Sequence, residues 1–327
     1  MMDALFVGLP VWLNLLFFIL GGVLITKAAD RFVYSAVKIS IATRIPKMLI
    51  GGTIVSLATT SPEFAVSFIA TVQGKSDVAI GNSIGSCIIN IGLIASTCIL
   101  IRPVLVEKKR ILAQGAFMVA AGLLVYALSG GNVITRLESL FLIAGLLGYL
   151  YYCTKTARSD MSNPDSAAQA SMEGHKINIG KQFLLFLVGA FGIILGSSLL
   201  VGNVTPIAKY LGVPDLIIAL TLVALGTSLP EYVVSLTAAF RKHGDIGIGN
   251  IIGADILDIF WVLGGCSLYA PLTVTRQTRV LDYPVMLIMM LLLLVFRFTN
   301  RRIERWEGAT LFGLLVVYLV LMFVYFA

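Results

Sequence analysis

The sequence predicts an all-α polytopic membrane protein: ten transmembrane helices in two inverted five-helix repeats, with both termini extracellular. Three observations predict it: an apolar composition, the spacing of the apolar runs, and an ungapped internal repeat. Of 327 residues, 58% are hydrophobic and 13% charged, and the mean hydropathy is +0.95. A helix needs roughly 20 apolar residues to cross a hydrocarbon core of about 30 Å, so the composition suffices for about ten spans joined by short loops. It leaves no room for a separate soluble domain.

The apolar runs fall at 9–27, 47–72, 79–101, 111–129, 137–154, 182–203, 214–240, 246–270, 280–297 and 307–326. The first is too long, and too poor in N-terminal positive charge, for a signal peptide. The one long polar stretch, 155–181, is rich in Ser, Ala and Asp and reads as a cytoplasmic linker. It separates a first five-helix repeat, 1–154, from a second, 182–327. Loops that follow odd-numbered spans hold 19 of the 24 Lys and Arg residues. The positive-inside rule places those loops in the cytoplasm and both termini outside. The net charge of +7 is thereby a topology signal and does not point to nucleic acid. Cys87, Cys98, Cys153 and Cys266 lie in apolar runs without framework spacing, and His175 and His243 lie in polar segments. That pattern argues against a zinc or haem site.

The internal repeat pairs 56–96, SLATTSPEFAVSFIATVQGKSDVAIGNSIGSCIINIGLIAS, with 224–264, ALGTSLPEYVVSLTAAFRKHGDIGIGNIIGADILDIFWVLG. At a constant offset of 168 in numbering, 15 of 41 positions are identical. Identities include Thr59/Thr227, Pro62/Pro230, Glu63/Glu231, Ser67/Ser235, Asn82/Asn250 and Gly85/Gly253. An odd number of spans separates the copies, so the second is inserted upside down. Inverted repeats place a shared site on their pseudo-two-fold axis near the bilayer midplane.

Glu63 and Glu231 lie deep in the second and seventh runs. A carboxylate at the bilayer centre costs about 2.5 to 3.5 kcal/mol on insertion scales, and no Lys or Arg lies near either in these runs. A bound cation offsets that cost better than a packed, protonated acid. Pro62 and Pro230 lack an N–H, which frees the carbonyls of Ala58 and Gly226 beside the hydroxyls of Thr59, Thr60, Thr227 and Ser228. Carboxylate, carbonyl and hydroxyl oxygens suit hard cations such as Ca2+, which takes 6–8 oxygen ligands. In the third and eighth runs, Ser86 and Asn90 share a helix face, as do Ala254 and Asp258, with Asp255 near that face. Both aspartates read as cavity-facing. The glycines at 81, 85, 249 and 253 suit small-residue helix packing. Asn82 and Asn250 are equally suited to bonding between helices and to ligation. Ser67 and Ser235 read as packing residues.

The segments ATTSPEF…GNSIGSCIIN and GTSLPEY…GNIIGADILD resemble the two alpha repeats of the calcium/cation antiporter superfamily, of the prokaryotic sodium/calcium exchanger type. The resemblance covers the ten-span plan and both repeats. It implies alternating access around midplane sites where Na+ and Ca2+ compete for one cluster of oxygens. By match to the motif, Glu63 and Glu231 are the implied central ligands. Thr59 and Thr227 would add carbonyl and hydroxyl oxygens, and Thr60 and Ser228 hydroxyls. Ser86, Asn90 and Asp258 would complete the cluster, with the carbonyls of Ser56 and Ala224 at its outer ends. This chain departs from the family pattern in three places. Ala58-Thr59-Thr60-Ser61 replaces the usual Gly-Thr-Ser-Leu and keeps a hydroxyl at Thr60. Ala254 replaces a serine and removes one oxygen from a sodium site. Asp255 replaces an asparagine and adds a fourth acid, a grouping that favours a shared proton or a divalent ion.

The expected function is therefore secondary active antiport of Na+ against Ca2+ across a plasma (inner) membrane. No cofactor is expected beyond the transported ions Na+ and Ca2+, with H+ as a further candidate. The alternatives are a proton/calcium antiporter, suggested by Asp255 and Ala254, and a passive cation channel. Channels usually select ions with symmetric rings of ligands contributed by several subunits, whereas two inverted copies in one chain favour a carrier. An enzyme or an ATP-driven pump is not expected: the sequence has no nucleophile–base pair, no His/Cys ligand cluster and no phosphate loop. The oligomeric state is not encoded legibly.

Overall fold

Nine helices among the described residues are long and apolar enough to cross a membrane. The computed structural model describes residues 9–104, 107–161, 177–210, 226–299 and 302–326. In order the helices are α1 (Val11–Thr43), α2 (Lys47–Val72), α3 (Ser76–Ile101), α4 (Lys108–Gly131), α5 (Arg136–Met161), α6 (Ile179–Tyr210), the shorter α7 (Leu229–Phe240), α8 (Gly244–Tyr269), α9 (Thr278–Arg297) and α10 (Arg305–Phe326). Residues 211–225, which include the first part of the seventh apolar run, lie outside the described residues.

Helix α1 corrects the expected first span. It runs on past position 27 to Thr43 because its second half is amphipathic and not uniformly apolar. Lys27, Arg31 and Lys38 recur at helical spacing on one face. Ala28, Ala29, Phe32, Val33, Ala36, Val37 and Ile39 are buried on the other. The helix stops where Arg44 turns left-handed (φ 60°) ahead of Pro46. The expected linker is shorter at both ends as well. Lys155 and Arg158 are helical within α5, and α6 begins at Ile179.

Helices α1 and α6 lie antiparallel along a glycine seam. A Cβ added at Gly192 would stand 2.8 Å from that of Ala28, and one at Gly196 2.8 Å from that of Ile25. Only hydrogen at these positions lets the two backbones approach so closely. Phe32 and Phe186 stack at 4.3 Å beside the seam.

Helices α2, α3, α7 and α8 carry the repeat residues and pack against one another. Nearly all of α8 is buried, a larger share than in any other long span among the described residues, so this helix lies at the centre of the bundle. The repeat relation extends into fine structure. π-helical turns occur at Asn90–Ala95 in α3 and at Asp258–Leu263 in α8, at equivalent positions of the two copies. Each widens the helix where a polar side chain projects, a device frequent at functional sites. Two short antiparallel pairings also correspond. Strands β1 (Val133–Ile134) and β2 (Leu272–Thr273) pair, and Val104 bridges Ile303, with Val104 and Leu272 related by the same offset.

Candidate cation site

Prolines 62 and 230 act differently in the two copies. Helix α2 continues through Pro62 from Ser56 to Val72, whereas Ser228 (φ −86°, ψ 6°) interrupts the second copy and α7 begins at Leu229. The sequence predicts a freed carbonyl at both. Losing one N–H leaves the rest of the α2 hydrogen-bond ladder intact, so the first copy keeps its helix.

Glu63 and Glu231 are each 1% exposed, Asp255 is fully buried and Asp258 is 1% exposed. Around them the polar side chains bond mostly across the two copies. Thr60 donates to Glu231 Oε1 at 3.2 Å, and Ser228 donates to Ser86 Oγ at 3.1 Å. Asn90 Nδ2 donates to Asp255 Oδ1 at 3.0 Å. Ser83 donates to the Asp258 carbonyl at 2.5 Å, tying α3 to α8.

A second set of bonds frames this core with two-fold reciprocity. Thr59 donates to Asn250 Oδ1 and Thr227 to Asn82 Oδ1, both at 3.1 Å. Asn82 Nδ2 donates to Ser67 at 3.0 Å and Asn250 Nδ2 to Ser235 at 3.2 Å. Both asparagines thus bond between helices, and both serines accept from them. Ser56 offers its carbonyl to Thr59 at 3.3 Å. Ala224, expected to supply a carbonyl, lies outside the described residues.

The crossing of α2 and α8 brings the two copies this close. A Cβ on Gly253 would fall 2.6 Å from Gly52 Cα and 2.6 Å from Ser56 Oγ. Gly249 likewise meets Met48 backbone. The small-residue packing expected for Gly249 and Gly253 is therefore found between α8 and α2. The equivalents of Met48 and Gly52, positions 216 and 220, lie outside the described residues.

Five buried oxygens of this core meet no hydrogen-bond donor among the described residues: Glu63 Oε2, Glu231 Oε2, Asp255 Oδ2, Asp258 Oδ1 and Asn90 Oδ1. Buried acceptors without partners are rare and costly, and a bound cation is the group that would satisfy several at once. Asp282, a buried acid in α9, shows the contrast. Tyr318 and Gln277 donate to its Oδ1 at 3.1 and 3.4 Å, so protein groups satisfy it. Ion pairs such as Arg241–Asp30 and Arg302–Glu304, both at 2.9 Å, involve none of the four acids. A cavity of about 670 Å3 between α1 and the loop after α7 is lined by Lys27, Arg31, Lys38, Lys47 and Arg241. Asp30 also lines it but pairs with Arg241, so the lining is net basic and does not suit a cation.

Sequence reasoning misses one neighbour. Cys87 offers its sulfur within 4.8 Å of carboxylate oxygens of Asp255 and Asp258. Its Sγ lies 3.8 Å from the Asp255 carbonyl oxygen. The sequence gives no reason to expect a metal-ligating cysteine, because no second Cys or His stands at ligand spacing along the chain. The usable signal is the repeat: 87 and 255 are equivalent positions, and equivalent positions near a two-fold axis face each other.

Known proteins share this architecture. The family model for the sodium/calcium exchanger protein matches residues 13–155 and 181–324. A sodium/calcium exchanger of Methanosarcina acetivorans is 30% identical, with the alignment covering 96% of this chain and 99% of the relative. An inner membrane protein of Escherichia coli, YrbG, is also 30% identical, over 93% of this chain and 95% of its own length. The structure of the sodium-calcium exchanger NCX_Mj soaked with 10 mM Na+ and no Ca2+ superimposes with a TM-score of 0.82 at 30% identity. The match covers 95% of this chain and 99% of that one.

Proposed function

The chain belongs to the sodium/calcium exchanger family, and from that membership we propose that it is a multi-pass antiporter exchanging Na+ for Ca2+ in a plasma (inner) membrane. The observation that carries this reading is the set of five oxygens, on Glu63, Glu231, Asp255, Asp258 and Asn90, that meet no donor among the described residues. In this reading Glu63 and Glu231 are the central ligands, shared by both ions. Asp258, Asn90, Ser86 and Asp255 complete the cluster from α3 and α8. Hydroxyls of Thr59, Thr60, Thr227 and Ser228 and carbonyls of Ser56 and Ala224 supply the remaining oxygens.

Coupling follows from electrostatics. Na+ and Ca2+ need the same carboxylates and cannot hold them together. An empty chamber leaves several uncompensated acids in low dielectric, so the carrier reorients slowly unless an ion is bound. Alternating access around ten helices in two inverted repeats, both termini outside, completes the proposal. The reciprocal Thr–Asn bonds and the matched π-helical turns support a two-fold relation between the halves.

Proteoliposomes test it directly. An outward Na+ gradient should drive radiolabelled Ca2+ uptake, and Glu63→Gln should abolish it while the protein elutes as a monodisperse species. Uptake driven by an outward proton gradient alone would assign the proton/calcium alternative. Normal uptake in Glu63→Gln would overturn the site.

A further inference from the structure

We propose that Cys87, Asp255 and Asp258 form a mixed sulfur–oxygen site for a thiophilic divalent cation of the zinc and cadmium class, opening from the chamber of the proposed exchanger. The inference rests on the chamber reading for its access route, and on this chain's own residues for its chemistry. Cys87 is fully buried on α3, and Asp255 and Asp258 are buried on α8. One sulfur and two carboxylate oxygens lie within 4.8 Å of one another. A tetrahedral ion with bonds of about 2.0 to 2.3 Å spaces its ligand atoms by about 3.5 Å. Small side-chain rotations therefore close the triangle onto a metal.

Two independent features point to a ligand there. Asp255 Oδ2 and Asp258 Oδ1 are both buried and have no hydrogen-bond partner among the described residues. Asn90, on the same helix as Cys87, turns its Nδ2 to Asp255 Oδ1 at 3.0 Å. Such a donor fixes the carboxylate's orientation, leaving its other oxygen free to face a metal. Asn90 Oδ1 itself has no partner among the described residues and can supply a fourth ligand.

Chemistry selects the ion. A thiol adds nothing to a Ca2+ shell, which is built from oxygen, whereas zinc and cadmium bind sulfur strongly. On binding, the Cys87 S–H bond breaks, its electron pair stays on sulfur and is shared with the metal, and the proton leaves to the bathing water. The charge of the ion is then neutralised by one thiolate and by carboxylates that Ca2+ also needs. A thiophilic divalent ion therefore occupies the chamber and blocks exchange.

Cadmium is the probe. Purified protein carrying Cys98→Ser, Cys153→Ser and Cys266→Ser is loaded with Cd2+ and measured by X-ray absorption at the metal edge, alongside radiolabelled Cd2+ binding to wild type and Cys87→Ser. We expect one sulfur in the metal shell, and a loss of Cd2+ affinity of about tenfold or more in Cys87→Ser. An all-oxygen shell, or unchanged Cd2+ affinity in Cys87→Ser, overturns the site. If the triple variant fails to fold, absorption of Cd2+-loaded wild type against Cys87→Ser gives the same decision. Sodium-driven Ca2+ uptake by the same wild-type preparation separates the two readings. A sulfur shell without exchange leaves this site standing and removes the exchanger reading, and exchange with an oxygen-only shell does the reverse.

Discussion

Thr59 donates its hydroxyl hydrogen to Asn250 Oδ1 at 3.1 Å, and at the equivalent positions of the other copy, with donor and acceptor helices exchanged, Thr227 does the same to Asn82. Each bond runs from the Glu-bearing segment of one copy to the Asn-bearing helix of the other. The pair therefore clasps the two halves on either side of the acids. Asn250 also donates to Ser235 at 3.2 Å, so one buried amide ties three helices together.

Asn250→Leu keeps the volume and removes both bonds. We expect a loss of about 1–3 kcal/mol, read as a lower thermal midpoint in detergent. In a double-mutant cycle with Thr59→Val the two losses should overlap by about 1 kcal/mol, because both variants delete the same bond. Strict additivity would show that the bond is not a stabilising one.

Ala254 stands where the first copy has Ser86, which accepts from Ser228 at 3.1 Å. By the repeat relation, the partner of a serine at 254 is Thr60, already bonded to Glu231 Oε1. Ala254→Ser should add an oxygen beside the acids and lower the Na+ concentration for half-maximal Ca2+ release by about threefold, on the scale of one hydrogen bond. Flux assays at graded Na+ would measure it, and an unchanged Na+ dependence would place position 254 outside the ion pathway.

Gly253→Ala pushes a methyl group into Gly52 Cα and Ser56 Oγ, both 2.6 Å from the new Cβ. Backbone cannot yield as a side chain tip can, so α2 and α8 must separate. The expected cost is about 1–3 kcal/mol, with impaired exchange because Ser56 and Glu63 share α2. Gly313→Ala, which meets no atom within 4 Å, is the control and should leave both readouts near wild type.

His243 sits outside the spans at the start of α8. Burial first, and then the neighbouring Lys47 ammonium, hold its imidazole below the ordinary 6.5, with Asp245 opposing. Lys47 Nζ lies 3.3 Å from Nδ1, a distance at which the neutral ring accepts a hydrogen bond. A depressed value means that folding disfavours the protonated ring. The His243 contribution is therefore complete above 6.5 and is lost as pH falls through the lower folded value. The thermal midpoint should drop on acidification across that window, and His243→Gln should flatten that part of the profile. An equal slope in the variant would assign the acid sensitivity elsewhere.

The candidate acids are legible in the sequence because membrane depth leaves so few reasons for a carboxylate. Glu63 and Glu231 are identifiable from burial cost and repetition, Asp255 and Asp258 from burial cost alone, and the constant offset between the copies foretells which residues are equivalents. It does not foretell which equivalents touch. Cys87 and Asp255 meet because they flank the axis, a fact set by the angle at which α3 and α8 pack and not by any spacing along the chain. The α1 boundary is illegible for a different reason. Hydropathy averages over both faces, so Lys27, Arg31 and Lys38 on one side mask Ala28, Phe32 and Val37 on the other. Proline gives the position of the irregularity in each copy but not its outcome, since the ladder around Pro62 tolerates what the chain at Ser228 does not.

Helix α1, with 33 residues, is about 50 Å long, well beyond the roughly 30 Å of the hydrocarbon core. The close seam with α6 makes the two a single stiff beam. Tilting such a beam by about 10° about its middle carries its ends about 4 Å in opposite directions, by simple leverage on its length. That distance exceeds the diameter of a dehydrated calcium ion. In the proposed alternating-access cycle, a gap opened at one face of the membrane would be matched by closure at the other, and the rigidity of a rod would be what prevents leak.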